Sequence, residues 1–218
     1  MDPFDLRPGF LEERTDMAQK RRWREMGYGH IVAYTKAGRP IRSIMGSGER
    51  LFSIQNSAQA TTAAPVSQPT GAAIRTMQQI ECGSTLDLNI VEWGCSFDGT
   101  TATNTPGKVE FFSNTVAATM STAAVSGDVT LFNNFAGTGT QIVFGGTTHT
   151  GFATAAVTEG SVANYRLGDL QLLNPTLGYV KQWPLNREFQ VPSSKLVRVR
   201  VTFGTTVNMY IYVIWSEA

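Results

Sequence analysis

The stretch Val197-Arg198-Val199-Arg200-Val201-Thr202-Phe203 decides the fold class, because apolar and polar residues alternate along it without a break. Successive side chains of a β-strand point to opposite faces. The four apolar residues therefore share one face, and Arg198, Arg200 and Thr202 share the other. We expect the first face to lie in a core and the second to face water. The turn residues Gly204-Thr205-Thr206 follow directly and predict a hairpin.

The strand predicted after this turn, residues 207–215, is apolar or aromatic on both faces. Its alternation puts Tyr210, Tyr212 and Ile214 on the side opposite the core-facing residues. A strand of this kind is usually covered on both faces, and in a single sandwich the outer cover comes from a loop, from an N-terminal arm or from another subunit. We predict that Tyr210, Tyr212 and Ile214 mediate self-association, and the arm or a loop is the alternative cover.

The chain from residue 74 onwards consists of short β-rich runs separated by turn signals, with no long helical period among them. The turns include Asp98-Gly99 and Pro106-Gly107. The sequence therefore predicts an all-β fold, a single antiparallel β-sandwich of the jelly-roll type over residues 74–218. The candidate strands are 76–81, 86–93, 108–112, 129–135, 141–144, 163–173, 196–203 and 207–215.

Residues 1–73 have a different character, which predicts an extended N-terminal arm and linker. Charge is concentrated there, since residues 1–50 hold 10 Lys/Arg and 7 Asp/Glu. Residues 10–26 predict a short helix, and residues 30–44 a weak hairpin. Residues 53–73 contain almost nothing large and apolar, so they cannot offset an ordering cost of roughly 1 to 2 kcal/mol per residue. We expect the arm to become ordered on a partner surface.

Composition gives no electrostatic reason for the chain to seek nucleic acid or an anionic membrane. The charged residues make up 16% of the chain, and the formal net charge is +1. The N-terminus has acidic residues and proline where an export signal needs a basic and then an apolar segment. No run approaches the ~18 apolar residues of a membrane span. We expect a soluble product made in the cytoplasm, without a membrane partner.

The sequence spells out no catalytic or metal-binding constellation. The two histidines, His30 and His149, lie in unrelated contexts, and there is no Gly-x-Ser-x-Gly elbow. The carboxylates of the β region are dispersed. We therefore predict a protein that is not an enzyme and has no cofactor or metal. Cys82 and Cys95 flank a predicted strand that holds them too far apart for a disulfide, so we expect two buried free thiols.

One basic cluster contains an aromatic residue, namely Arg21, Arg22, Trp23 and Arg24, which follow Lys20. Such a composition can contact phosphates and stack on a base. The cluster is short, however, and Asp16 and Glu25 lie near it. We favour a protein-docking or solvated helix face over nucleic-acid contact, and Trp23 is suited to anchor an interface.

Two stretches of the chain resemble the jelly-roll head-decoration, or cement, proteins of tailed bacteriophages. One is Leu88-Asn89-Ile90-Val91-Glu92-Trp93-Gly94-Cys95-Ser96-Phe97-Asp98-Gly99-Thr100. The other is Gly178-Tyr179-Val180-Lys181-Gln182-Trp183-Pro184-Leu185-Asn186-Arg187-Glu188-Phe189-Gln190-Val191-Pro192, and the likeness continues through the two terminal strands to Ile214-Trp215-Ser216-Glu217.

The resemblance covers roughly residues 75–217 and leaves the arm unmatched. It implies a homotrimer on the outside of a virion capsid, at junctions between major capsid protein subunits, where it resists internal pressure. Under this hypothesis Arg21, Arg22, Trp23 and Arg24 contact the capsid. The alternative is a phage fibre or tail component that binds a host surface glycan, with Trp183 as the suspected contact. An enzyme such as a glycan hydrolase is a third hypothesis.

Overall fold

The computed structural model describes residues 50–58, 66–98, 105–131, 139–184 and 187–217, and these form two antiparallel sheets. The one helix among them is a single 3-10 turn, Ser126–Asp128. The strands in chain order are β1 (Arg50–Gln55), β2 (Gln68–Pro69), β3 (Arg75–Glu81), β4 (Leu88–Asp98), β5 (Gly107–Asn114), β6 (Thr122–Ala123), β7 (Val129–Leu131), β8 (Gly151–Phe152), β9 (Arg166–Leu173), β10 (Tyr179–Gln182), β11 (Phe189–Val191), β12 (Leu196–Thr202) and β13 (Asn208–Glu217).

The strand order is that of a jelly roll. One sheet runs β10-β4-β13-β1-β7, with β11 also on β4 and β2 also on β13, and the other runs β6-β8-β3-β12-β5-β9. Eight strands, β1, β3, β4, β5, β9, β10, β12 and β13, pair first with last, second with seventh, third with sixth and fourth with fifth. This nested pairing is a long hairpin rolled into two packed sheets. The predicted antiparallel β-sandwich is confirmed.

The core lies between the two sheets and is built from the alternating residues of the long strands. The four apolar residues of the stretch 197–203 are all buried, as are Met209, Ile211, Val213 and Trp215 of β13. Aromatic contacts cross the core: the ring centroids of Trp93 on β4 and Phe111 on β5 lie 5.4 Å apart and join the two sheets. Burying side chains of this size contributes about 1.5 to 3 kcal/mol each.

The opposite face of β12 differs from the prediction of a water-facing surface. Arg198 is completely buried, and Arg200 is half-buried. The reason is that loop segments of the chain lie over this part of the sheet and bind its polar side chains. The Glu159 carboxylate, on one of these segments, accepts a hydrogen bond of 2.6 Å from Nη2 of Arg198. The alternation of apolar and polar residues predicted correctly which side chains share this face of β12, but it could not show that loops cover the face.

The sandwich begins before residue 74. β1 pairs with β13 from Arg50 opposite Glu217 to Gln55 opposite Tyr212, and β2 pairs with the other end of β13. The side chain of Asn56 extends the ladder, donating to Met209 O at 3.0 Å and accepting from Ile211 N at 2.8 Å. Residues 50–58 and 66–73, which the sequence analysis assigned to the arm, therefore belong to the sandwich as the structure has it.

One predicted strand, 141–144, does not form a strand. Its backbone groups form isolated hydrogen bonds instead of a ladder: Gln141 N donates to the Glu217 carboxylate at 2.9 Å, and Val143 N donates to O of Glu81, at the end of β3, at 3.0 Å. Val129–Leu131 of the predicted strand 129–135 forms β7, and residues 132–135 lie outside the described residues. The predicted helix 10–26 and hairpin 30–44 lie outside the described residues. Among those described, no helix combines the length and apolarity needed to cross a bilayer.

Candidate interaction surfaces

The outer face of β13 carries the predicted self-association residues. Tyr210, Tyr212 and Ile214 are all half-buried and project from the same side of the central strand of the seven-stranded sheet. The register places Tyr212 between Gly94 of β4 and Gln55 of β1, and Ile214 between Glu92 and Ser53. The structure thus brings the three residues together in one row, and their role in self-association stays a prediction.

Tyr212 is held by its own sheet. A Cβ built on Gly94 would lie 2.6 Å from Cε1 of the Tyr212 ring, so the ring occupies the space that a side chain at position 94 would need. The Tyr212 hydroxyl donates to Oε1 of Glu92 at 2.6 Å. Burial, together with this hydrogen bond to a carboxylate, raises the pKa of Tyr212 well above its ordinary value. Part of the cover expected for this face therefore comes from a cross-strand contact.

The predicted capsid-contact residues Arg21, Arg22, Trp23 and Arg24 lie outside the described residues, as does His30. His149 is described. Its side chain is partly exposed, and its Nδ1 lies 2.6 Å from Oε2 of Glu81, in a loop that packs over the sheet. Among the described residues, no group of three or more His, Cys, Asp or Glu side chains is arranged to hold a metal ion.

A row of exposed apolar side chains lies on β9, at the edge of the six-stranded sheet. Leu167, Leu170 and Leu172 are 45%, 46% and 74% exposed, and we call these three residues the leucine row. They face outwards, whereas Leu173 of the same strand is buried in the core. Sequence analysis placed a strand here but did not single out the leucines. The signal was the pair Leu170 and Leu172 at a spacing of two, with Leu173 out of phase.

The charged residues of β9 are engaged on the other side of the strand. The Arg166 guanidinium carbon lies 4.4 Å from the centroid of the Phe189 ring, and Nη2 donates to Gln190 O. The Asp169 carboxylate accepts the Tyr179 hydroxyl at 2.7 Å on one oxygen, and the Gln171 side-chain amide at 2.8 Å on the other. These contacts join β9 to β10 and β11 of the opposite sheet.

The backbone of β9 is irregular at its middle. Phe111 lies opposite Asp169 and Phe112 lies opposite Leu167, so Gly168 is an extra residue and forms a bulge. Asp169 also accepts the amide of Leu170 at 3.0 Å with its own carboxylate. Bulges and charged side chains at sheet edges discourage the addition of another strand. The bulge and the Asp169 carboxylate therefore disfavour the pairing of another strand with this edge, although its leucines are exposed.

A column of paired charges flanks the leucine row on β5 and β12. Oε1 of Glu110 lies 3.4 Å from Nζ of Lys108, and Oε2 of Glu110 lies 3.0 Å from Nε of Arg200. In the register, Leu170 lies opposite Glu110 and Leu172 lies opposite Lys108. The charges nearest to the leucines are thus bound to one another.

Trp183, the residue suspected of glycan binding, packs into the aromatic end of the core. Its ring centroid lies 5.3 Å from that of Phe111 and 5.9 Å from that of Phe189. The ring is half-buried. Because these contacts use part of its surface, Trp183 has less of its ring available to stack on a sugar.

Cys82 and Cys95 are free and buried, as predicted. Burial raises the pKa of Cys82 to about 11 and that of Cys95 to about 12. A thiol reacts as the thiolate, so both groups are inert at neutral pH. No comparison supplies a family: the chain matches no family model, no curated protein and no solved structure.

Proposed function

We propose that this chain is a structural virion protein, a capsid cement or decoration protein that stabilises a bacteriophage head by binding between major capsid protein subunits. The observation that carries the proposal is a jelly-roll body with an exposed leucine row on an edge strand whose charged side chains make their contacts on the other face of the strand. Such a body suits adhesion, because its apolar surface is available to a neighbour. The stretches that resemble cement proteins supply the particular class.

The function requires two partners, the major capsid protein and further copies of this chain, which we propose to be a homotrimer. Repetition of weak contacts over a symmetric particle raises avidity without a single strong site. The proposal has no cofactor, no membrane partner and no catalytic residue, and it does not call on nucleic acid. Arg21, Arg22, Trp23 and Arg24 supply the capsid contact, and Tyr210, Tyr212 and Ile214 are the residues predicted for self-association.

The first described strand of the sandwich is held on both sides and suits this task. β1 is hydrogen-bonded to β13 on one side and to β7 on the other. Phe52 and Ile54 of β1 are buried in the core. A load applied to β1 would have to break two hydrogen-bonded ladders, so this strand suits a body that bears a load from the capsid.

The experiment is co-sedimentation of the purified chain with capsids of the virus that encodes it, assembled without it. The test variant changes Arg21, Arg22, Trp23 and Arg24 to serine. The matched control changes Lys36, Arg39 and Arg42. These changes also remove basic charge from the first fifty residues. We expect the test variant to lose at least tenfold in capsid affinity and the control to bind like the wild type.

Two results would contradict the proposal. One is that wild-type chain does not sediment with capsids, and the other is that it binds an array of host glycans instead. No feature of the described residues favours the glycan-binding alternative over capsid binding, since Trp183 packs against the core aromatic residues.

A further inference from the structure

Exposed apolar side chains are concentrated at one edge of the sandwich. Ten large apolar residues are exposed in the described part of the chain, and six of them lie between residues 165 and 180. They are Tyr165, Leu167, Leu170, Leu172, Leu177 and Val180. Single exposed leucines are ordinary on a protein surface, but a row of them indicates a contact site. Within this group, the three side chains of the leucine row share one face of one strand, and they therefore form its most continuous part.

The charge distribution around the leucine row indicates which partner it fits. Copies arranged around a rotation axis that passes close to the row bring the same charges near one another, and unpaired like charges would repel. The outward face of β9 carries no charge in its leucine row, and Arg166 and Asp169 bind groups on the other side of the strand. Beside the row, Glu110 is bound to both Lys108 and Arg200. The centre of the surface that a second copy would meet is therefore uncharged, and the group beside it has a net charge of +1, carried by two cations and one carboxylate.

We propose that the leucine row, Leu167, Leu170 and Leu172, is the surface through which copies of this chain associate. The inference rests on the proposed function, because it gives a place to the self-contact that a cement protein needs. It differs from the row Tyr210, Tyr212 and Ile214, in which Tyr212 is already engaged with Gly94 and Glu92. Depletion of charge at the centre and a polar rim are the usual composition of a protein interface.

The contact is made by side chains and not by strand addition. The bulge at Gly168 breaks the regular edge, and the Asp169 carboxylate binds the amide of Leu170. The copies place their leucine rows around a common rotation axis, which gives a closed assembly instead of an open row of paired sheets. The association is therefore expected to stop at a defined number of copies.

The test is the molar mass of the full chain in solution, measured by light scattering after size exclusion over a hundredfold range of concentration. The variant combines Leu170→Thr with Leu172→Glu, which places the new carboxylate opposite Lys108 and so spares the fold. A second variant, Leu172→Thr alone, adds no charge. The control is Ile74→Glu. Ile74 is also exposed, at 45%, but it lies outside the leucine row and next to Arg75 in the sequence.

We expect the wild type and the control to have the mass of a small oligomer, and the double variant to have that of a monomer with an unchanged melting temperature. Leu172→Thr should require at least tenfold more protein to associate. A monomeric wild type would overturn the inference, and so would an oligomer that survives in the double variant. If Tyr210→Ser with Ile214→Ser dissociated the oligomer and the leucine changes did not, the self-contact would lie on β13. Capsid co-sedimentation tests the proposed function separately, because a monomer can still bind capsids.

Discussion

The ring of Tyr212 lies directly over Gly94 on the outer face of the seven-stranded sheet. A Cβ at position 94 would lie 2.6 Å from the ring, and the Tyr212 hydroxyl continues past it to Glu92. Gly94 lacks a side chain at the one place where this tyrosine crosses the neighbouring strand. The aromatic character of the outer face is thus explained in part by contacts within a single copy.

Gly94→Ala should destabilise the fold because the new methyl group collides with the Tyr212 ring. Overpacking of this kind costs about 1 to 3 kcal/mol. With Tyr212→Ala in the same chain the space is available, so the double variant should be less destabilised than the sum of the single variants by about 1 kcal/mol. Urea unfolding followed by tryptophan fluorescence measures all four free energies of unfolding.

Gly204→Ala is the control for this series, because a Cβ there meets no atom within 4 Å. It should change the free energy of unfolding by less than about 0.5 kcal/mol. Strict additivity of Gly94→Ala and Tyr212→Ala would show that the ring does not occupy this space.

The ion pair between the buried Arg198 and the half-buried Glu159 should be sensitive to the loss of either partner alone. Arg198 has no exposed surface, and its Nη2 also donates to the Thr76 hydroxyl at 2.6 Å. Glu159→Gln leaves a buried charge without its counter-ion, at a cost of about 3 kcal/mol. Glu159→Gln with Arg198→Met removes both charges and should recover part of that loss. If the loss in free energy of unfolding in the double variant equalled the sum of the losses in Glu159→Gln and in Arg198→Met, the two residues would not be coupled.

The start of the sandwich can be tested by truncation. A chain that begins at residue 50 keeps β1 and should unfold cooperatively, with a melting temperature close to that of the full chain. A chain that begins at residue 58 loses β1 and with it the burial of Phe52 and Ile54, worth about 3 to 6 kcal/mol. Because domains are stable by only about 5 to 15 kcal/mol, this second chain should be largely unfolded by circular dichroism. Equal stability of the two chains would show that β1 is dispensable.

Acid should weaken the charge column beside the leucine row through Glu110. Burial alone would raise the pKa of Glu110, but the hydrogen bond and charge of Arg200, with the charge of Lys108, outweigh it and lower that pKa below its ordinary value of 4.5. A lowered carboxyl pKa contributes stability that is present above pH 4.5 and is lost as pH falls through the folded-state value. When the pH is lowered from 5 to about 2 to 3, the melting temperature of the Glu110→Gln variant should therefore fall less than that of the wild type. Identical pH profiles in thermal melts would contradict this.

The alternation of apolar and polar residues was sufficient to predict the fold class and the core faces of β12 and β13. Those residues pack by a local rule, since each side chain's face is set by its position in the strand. The first strand of the jelly roll was missed because Arg50–Gln55 is short and is followed by polar residues typical of a linker. Its place depends on β13, more than 150 residues away, which local patterns do not encode.

The covered outer face of β12 was not predictable for the same reason. From the sequence, Arg198 is predicted to be a solvated residue. In the structure a loop brings Glu159, which is distant in the chain, into contact with it. The leucine row could have been found, because Leu170 and Leu172 share a face while Leu173 lies on the other. Which of those faces is inside depended on the pairing of β9 with β5.

The most direct test of the account is the temperature at which filled heads release their DNA, measured with a dye on heads that carry the protein and on heads that lack it. We predict that heads without the protein release DNA several degrees earlier, and that added wild-type chain restores the higher temperature while the serine variant of Arg21, Arg22, Trp23 and Arg24 does not. Release at the same temperature with and without bound protein would contradict a role as capsid cement.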